Sequence, residues 1–322
     1  MKLPRRQLEA ALRAARRAFP AANPYGVLGF GISRVRRRGR RLTHTSLTIY
    51  VEKKLARPER PVPPLVFTDA GKRVRLAPDV RATGRQALAH AAVATRFTGL
   101  HPGAPIKVGI EWGGVGCLLT VDGTPTHLLT CGHLFESDAQ GTAVFAGDGP
   151  QATQIGRLVA NLLDDSTLAR SDLAFPMDAA LVELTPQGTD LASSTASRLP
   201  VGGIRESGLF GLDVQAFLAT ANDFSEVTTT GAGAVDFPGM NSEVRGLYPV
   251  QHVLKTNGAL TQPGDSGTIL LTTESPRRAV GTCIGAVGTA MSLFEPFSRS
   301  IPSLAEATSL PLDIWTSPGS DS

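Results

Sequence analysis

Short apolar stretches recur along most of this 322-residue chain, and turn-forming Gly, Pro, Thr and Ser residues separate them. Apolar runs of about four to eight residues between such turns are typical of β-strands. The pattern predicts strands at residues 115–121, 153–162, 213–219, 268–272 and 280–287. Helix-like periodicity appears mainly at residues 6–19 and 86–96. We therefore expect an all-β body beyond the first hundred residues.

The first hundred residues have a different pattern, which predicts a small α+β unit. A helix at 6–19 is followed by two extended segments, 25–35 and 42–51, that read as a hairpin. A Pro-rich connector at 57–64 leads to another predicted strand at 72–80. We therefore predict three parts: a basic α+β leader domain at 1–100, a main domain at 101–315 and a flexible tail at 316–322.

Charge divides the chain at the same place. Residues 1–100 contain 22 Lys and Arg against 5 Asp and Glu, whereas residues 101–322 contain 10 against 23. Such asymmetry between halves indicates a domain boundary and a charged partner. The tip of the predicted hairpin carries the densest basic run, which consists of Arg36, Arg37, Arg38, Arg40 and Arg41.

Three interpretations of this basic run remain open. It can be a solvated surface, or it can dock onto the acidic main domain or another regulator and shield a site there. Binding to nucleic acid or to an anionic membrane is the least favoured, because no aromatic residues alternate with the arginines. We expect no transmembrane segment, because no apolar run is long enough to span a bilayer.

Candidate chemistry begins with Gly-Asp-Ser-Gly at 264–267. Glycines around a serine allow a sharp turn and a close approach of the backbone to a substrate. The N–H groups of Gly264 and Ser266 are then candidates for an oxyanion hole. A serine hydroxyl is a weak nucleophile at neutral pH and needs an adjacent base. The motif alone is weak, because the same residue types also build surface turns.

A base and an orienting acid occur upstream in suitable patterns. His133 ends an apolar run with small residues before it, which predicts a strand that delivers an imidazole at its end. Asp178 opens another apolar run, so a carboxylate is predicted at the start of a strand. An acid is needed there to fix the tautomer of the base and to stabilise its imidazolium form. His133, Asp178 and Ser266 are therefore the predicted catalytic residues.

Other residues compete for these roles. His101, His127 and His252 lack the small-residue flank and are interpreted as surface histidines. Asp172 lies close to Asp178 but opens no long apolar run, so it is interpreted as a turn residue.

These motifs carry a resemblance to a known family. Thr-Cys-Gly-His at 130–133, Asp-Ala-Ala-Leu at 178–181 and Gly-Asp-Ser-Gly at 264–267 resemble the three catalytic blocks of chymotrypsin-like (trypsin-like) serine peptidases, in the same order. The resemblance covers about residues 105–310. The leader is more loosely similar to that of intracellular trypsin-like proteins in bacteria and of the plant narrow-leaf type.

The resemblance implies a fold and an activity. The family fold is all-β, a double six-stranded antiparallel barrel with the triad in the cleft between the barrels. His133 and Asp178 would lie in the first barrel and Ser266 in the second, which would begin after residues 197–203. Residues 301–310 would form a short helix similar to the family's C-terminal helix. The implied activity is that of a serine endopeptidase, which cleaves a protein substrate through an acyl-enzyme intermediate. The family needs no cofactor and no metal for this reaction.

The resemblance also suggests a substrate pocket. Leu260, six residues before the nucleophile, would form its base, and residues 280–285 would form its wall. The predicted pocket residues are Leu260, Thr282, Cys283 and Gly285. With no charge at its base, this pocket would favour an uncharged, small or apolar residue. In zymogen-activated relatives, the acid at the position of Asp265 pairs with a newly cleaved N-terminus. Without an obvious activation site here, we expect Asp265 to have another partner or to be bound by solvent.

Cysteine content bears on the compartment. The chain has only Cys117, Cys131 and Cys283, an odd and sparse set that does not form a disulfide framework. The first twenty residues have no continuous apolar core of a signal peptide. A reducing, cytoplasmic location is therefore predicted. Cys131 is either an oxidation-sensitive thiol or, as we favour, a small buried residue on a strand.

Two other function classes remain as alternatives. A catalytically silent peptidase fold could serve as a binding or interaction protein. A serine esterase of the α/β-hydrolase type is disfavoured, because the order His, Asp, Ser contradicts that fold and no Gly-x-Ser-x-Gly elbow is present.

Overall fold

A computed structural model provides the structure of the chain. It describes residues 5–19, 24–37, 40–51, 53–55, 58–82, 86–87, 99–135, 140–147, 152–163, 177–195, 201–206, 212–221, 223–225, 228–242, 246–256, 258–287 and 291–316. Several predictions lie outside these residues: Arg38 and the side chains of the other arginines of the basic run, Asp172, most of the helix predicted at 86–96, and residues 317–322 of the tail.

The first of two large antiparallel sheets has eight strands. In chain order they are β7 (Pro105–Val108), β8 (Glu111–Gly114), β9 (Cys117–Thr120), β10 (Pro125–Thr130), β11 (Ala143–Ala146), β12 (Thr153–Asn161), β13 (Ala180–Leu184) and β21 (Asp313–Ile314). Their order across the sheet is β21-β9-β10-β13-β12-β11-β7-β8. The apolar residues of β10 and β13 are almost all buried, so the hydrophobic runs of the sequence become the inside of this sheet.

The second sheet contains a closed ring of strands. The strands of its body portion are β14 (Asp213–Leu218), β15 (Asp223–Phe224), β16 (Thr228–Ser242), β17 (Gly246–Thr256), β18 (Ile269–Thr272), β19 (Ala279–Val287) and β20 (Met291–Pro296). The path β14-β18-β19-β20-β17-β16 closes because β16 also pairs with β14. The predicted double antiparallel barrel is confirmed. The second barrel has six strands, and the first sheet has eight rather than six, because two short strands extend its ends.

The leader has its own helix and strands. They are α1 (Arg5–Ala18), β1 (Val27–Arg37), β2 (Arg40–Val51), β3 (Leu65–Asp69), β4 (Lys72–Leu76) and β5 (Pro78–Ala82). The predicted hairpin is present, and its last pair joins Arg37 to Arg40. Ala11 and Ala15 on one face of α1, and Phe19 just after its end, pack with strand residues such as Phe30 in a separate buried cluster. The strand predicted at 72–80 is two strands.

The leader is nevertheless continuous with the body. Strand β1 pairs with β16, so the hairpin and β5 extend the second sheet. Tyr50 of β2 is fully buried in the core of the first barrel, and the Lys255 ammonium lies 5.4 Å from the centre of its ring. A two-residue strand, β6 (Gln86–Ala87), pairs with the end of β19. The domain boundary at residue 100 remains a prediction.

Helices in the body are few. α2 (Pro186–Thr195) and α3 (Phe297–Thr308) pack against the sheets, and α3 begins four residues before the predicted helix at 301–310. The helix predicted from residue 86 is wrong at its start, since residues 86–87 are strand β6. Pairing with β19 overrides the helical preference of this Ala-rich segment. The described helices include none with the length and apolar character needed to cross a membrane.

Candidate active site

Strand β10 positions His133. The strand ends at Thr130, and a single 3₁₀ turn (Gly132–Leu134) carries the histidine. Thr130 Oγ1 donates to the carbonyl of Gly114 (2.8 Å), which ties the end of β10 to β8. Asn161 Nδ2 donates to the carbonyl of Gly132 (3.0 Å) and so fixes the turn from the other side. These two hydrogen bonds therefore fix the backbone that carries the His133 imidazole.

Asp178 reaches His133 because their strands are neighbours. β10 and β13 are antiparallel, and Thr130 pairs with Ala180, which brings the end of one strand to the start of the other. Asp178 Oδ2 lies 2.6 Å from His133 Nδ1, and Oδ1 accepts the backbone N–H of His133 at 3.0 Å. Both carboxylate oxygens thus bind the same residue, which fixes the ring orientation.

Ser266 completes the chain of hydrogen bonds. Its Oγ lies 2.8 Å from His133 Nε2, on the opposite edge of the ring from Asp178. The relative exposure of His133 and Ser266 is 0%, and that of Asp178 is 2%. The structure therefore brings the three predicted residues together across the two barrels in a site shielded from solvent.

The nucleophile loop has a backbone that only glycine adopts easily. Gly264 has φ +96° and Gly267 has φ +85°. A Cβ atom on Gly267 would collide with Thr130 Oγ1 and the carbonyl oxygen of Gly114. Backbone bonds fix the loop further, since Gly114 N–H donates to the Ser266 carbonyl (2.6 Å) and Gly267 N–H donates to the Cys283 carbonyl (2.8 Å).

Asp265 has a partner inside the chain. Its Oδ1 accepts the N–H (3.0 Å) and the hydroxyl (2.8 Å) of Thr220, and its Oδ2 accepts the N–H of Gln262 (3.0 Å). Burial raises the pKa of Asp265, and these bonds oppose the rise. The side chain is held by uncharged groups of Thr220, in the loop after β14, and of Gln262, and sequence reasoning did not identify Thr220.

The competing histidines lie elsewhere. His101 Nδ1 is 2.9 Å from the carbonyl of Pro102, and His127 Nδ1 is 2.9 Å from Thr126 Oγ1. Both side chains are buried, so the surface interpretation of these two is wrong. Burial lowers the pKa of His127. The side chain of His252 lies outside the described residues.

Two of the predicted pocket residues, Thr282 and Cys283, bond to the end of the nucleophile loop. Thr282 Oγ1 donates to the carbonyl of Gly267 (2.7 Å), and Cys283 N–H donates to the carbonyl of Thr268 (2.8 Å). Leu260 N–H donates to Ser292 Oγ (2.9 Å), and Gly285 is a buried residue of β19. Their role in binding substrate remains a prediction.

Cys131 lies beside the imidazole, with its Sγ 3.7 Å from His133 Nε2. Burial, reinforced by nearby Asp178, raises the pKa of Cys131 well above its usual value, which disfavours the reactive thiolate. The sulfur approaches Nε2, whereas the Asp178 carboxylate occupies Nδ1 on the opposite edge of the ring.

Comparisons with known proteins show similarity of fold. Thermobifida fusca Protease A is 17% identical, with a TM-score of 0.45, and the match covers 67% of this chain and 98% of that one. Nocardiopsis Protease is 20% identical, with a TM-score of 0.43 and coverages of 67% and 99%. Human heparin binding protein is 14% identical, with a TM-score of 0.32 and coverages of 64% and 92%. No family model and no curated protein matches the sequence.

Proposed function

We propose that this protein is a serine endopeptidase that works through a His133–Asp178–Ser266 triad. The observation that carries the proposal is the unbroken line of hydrogen bonds from Asp178 to His133 Nδ1 and from His133 Nε2 to Ser266 Oγ. Nucleophile, base and orienting acid within hydrogen-bond distance are the signature of acyl transfer.

The proposed reaction follows from this geometry. Ser266 Oγ attacks the carbonyl carbon of a peptide bond while its proton passes to His133 Nε2. His133 then gives this proton to the leaving amine as the C–N bond breaks. Water attacks the acyl-enzyme, again with His133 as base, and releases the acid and free Ser266. Asp178 keeps Nδ1 protonated and stabilises the imidazolium during both steps.

Charge on the carbonyl oxygen needs hydrogen-bond donors. We assign the oxyanion hole to the N–H groups of Gly264 and Ser266, a proposal supported by the positive φ of Gly264 and the fixed Ser266 backbone. Loss of one such donor costs about 10²- to 10³-fold in rate. The role of the Asp265 bonds would be to hold this loop in its working shape.

The finer parts of the proposal concern substrate, location and regulation. With Leu260 at the base of the proposed pocket, which Thr282, Cys283 and Gly285 complete, an uncharged small or apolar side chain of a protein substrate would be preferred. The three cysteines are free and buried, which supports a reducing cytoplasmic location. We assign a regulatory role to the leader at 1–100, with the body at 101–315.

A fluorophosphonate probe tests the nucleophile directly. We expect it to label the full chain at Ser266, with no labelling in Ser266→Ala and strongly reduced labelling in Asp178→Asn. Ser194→Ala is the matched control, because Ser194 is exposed on α2 and bonds only within its helix. Equal labelling of Ser266→Ala and the wild type would refute the assignment.

A second candidate is a silent peptidase fold that binds a partner without turnover. The complete burial of Ser266 favours it, because a substrate cannot reach a nucleophile that has no exposed surface. The same probe separates the two. No reaction of the full chain at any probe concentration, with the fold intact, would support the binding protein.

A further inference from the structure

A second acidic side chain lies directly behind the triad. Glu295 belongs to β20, opposite Thr282 of β19, and its relative exposure is 2%. A backbone hydrogen bond from Asp178 reaches its carboxyl group. The same residue, Asp178, thus holds His133 with its side chain and Glu295 with its main chain. The triad described above uses no group of Glu295.

The charge of an ionised Glu295 is only partly compensated by its surroundings. Arg299, one turn along on α3, places Nη1 3.5 Å from Oε1, and Oε1 accepts no hydrogen bond from any described residue. Asp178, which binds His133, faces Glu295 from the start of β13, and Thr282 on β19 carries no charge. Among the residues that the structure describes, the charged groups that face Glu295 are therefore one cation, Arg299, and the aspartate of the triad.

We propose that Glu295 is a positioning residue of the triad. Glu295 anchors the main chain of Asp178, and the loss of its own proton places a second negative charge behind the Asp178–His133 pair. This inference rests on the proposed peptidase function. It assigns Glu295 no contact with substrate.

The proton on Glu295 responds to pH near neutrality. Burial raises its pKa to about 8, Arg299 opposes the rise, and the charge of Asp178 adds to it. Below that pH the carboxyl is neutral, and above it a second negative charge faces Asp178. A negative charge near an imidazole favours the imidazolium that forms when Ser266 gives up its proton. We therefore expect the reaction of Ser266 to accelerate as Glu295 ionises.

The first test is the pH dependence of fluorophosphonate labelling, measured on the full chain between pH 6 and pH 10. We expect the wild-type rate constant to rise by roughly three- to tenfold across an inflection near pH 8. Glu295→Gln keeps the shape of the side chain and should lose this inflection. Identical profiles of the two proteins, or profiles that differ only by a constant factor, would overturn the proposal.

Two further variants sharpen the test. Arg299→Gln removes the cation that favours the ionised form, so the inflection should move to higher pH. Glu274→Gln makes the same chemical change at an exposed glutamate that pairs with Arg205, and its profile should match the wild type. An unchanged midpoint in Arg299→Gln would contradict the assignment of the inflection to Glu295.

An NMR titration separates this inference from the proposed function. The ¹⁵N shifts of the His133 ring, assigned by their loss in His133→Gln, should inflect near pH 8 in the wild type and not in Glu295→Gln. If the probe never reacts but this inflection is present, the peptidase proposal fails and the charge coupling of Glu295 to His133 stands. If labelling occurs and the ring shifts of both proteins coincide, the positioning role fails.

Discussion

At the scale of single residues, Asp265 illustrates what the sequence can and cannot reveal. Its position before Ser266 predicted either another partner or binding to solvent, and the sequence did not say which. The structure supplies Thr220, 45 residues earlier in the chain, through two hydrogen bonds to one carboxylate oxygen. No local pattern connects a turn threonine to a distant acid, so only the folded chain reveals the pair. The contact between Glu295 and the main chain of Asp178 escaped prediction for the same reason.

Replacement of Thr220 should impair the nucleophile loop. Thr220→Val keeps the size of the side chain but removes the hydroxyl that donates to Asp265 and accepts from Gln262. A hydrogen bond to a buried charged group contributes about 1.5–3 kcal/mol, so we expect the probe to label Ser266 about tenfold more slowly. Thr124→Val, at an exposed hairpin turn, is the control. A Thr220→Val protein that labels at the wild-type rate would contradict this role.

Glu295 also makes stability depend on pH. Because burial raises its pKa from an ordinary value of 4.5 to about 8, the unfolded chain releases this proton before the folded one does. Its contribution to folding is therefore complete below pH 4.5 and is lost as pH rises to about 8. Glu295→Gln has no proton to lose, so its melting temperature relative to the wild type should rise by several degrees between pH 5 and pH 9. A constant difference would argue against this titration.

Backbone conformation and lack of space require glycine at position 267, which has no chemical role in the site. Gly267→Ala would place a methyl group against the Gly114 carbonyl oxygen in a backbone conformation that L-residues rarely adopt. Because the backbone at Gly114 cannot move away from Gly267 at low cost, we expect a loss of about 2–4 kcal/mol in the free energy of unfolding. Denaturant titration measures the loss, with Gly258→Ala as a comparison at a positive φ without a steric clash. Equal effects of the two changes would show that strain alone matters.

At the scale of elements, strand β6 covers an edge beside the site. β6 pairs with Ala286 and Val287 of β19. Three residues earlier, Cys283 of β19 bonds to the nucleophile loop. Periodicity predicted β9, β12, β14, β18 and β19 well, because each is an apolar run bounded by turns. It could not predict β6, since a two-residue strand exists only through its partner.

Loss of β6 should make the triad more accessible. A double change, Gln86→Pro and Ala87→Pro, removes both backbone N–H groups and prevents regular pairing with β19. Because Ser266 is fully buried in the present structure, we expect faster labelling by the probe. Arg60→Pro, at an exposed bend of the connector, serves as the matched control. Labelling that is unchanged or slower would show that another segment shields the site.

At the scale of the whole molecule, the leader and the body are joined in three places. They share the sheet at β1 and β16, the short pairing of β6 with β19, and the burial of Tyr50 in the first barrel. The charge contrast along the sequence separates a basic first hundred residues from an acidic remainder. It does not reveal that a leader strand completes the sheet of the body, because charge and periodicity do not specify which edges pair.

Tyr50 should therefore couple the leader to the body. Tyr50→Ala removes a fully buried ring and its contact with the Lys255 ammonium, so a loss of about 3–5 kcal/mol is expected. Denaturant unfolding followed by two probes, one in each half, should change from one shared transition to two. Leu55→Ala, at a side chain that is 57% exposed, should leave a single transition. A single unchanged transition in Tyr50→Ala would show that the sheet alone suffices.

The pairing of β1 with β16 has a consequence for synthesis. Phe30 on one strand meets Asp236 on the other, so the hairpin leaves the ribosome about 200 residues before its neighbour exists. At about 5–20 residues per second, its backbone edge stays uncovered for roughly 10–40 seconds. An open strand edge invites pairing with other chains. The nascent protein should therefore need a chaperone to reach high yield, whereas the finished fold should not.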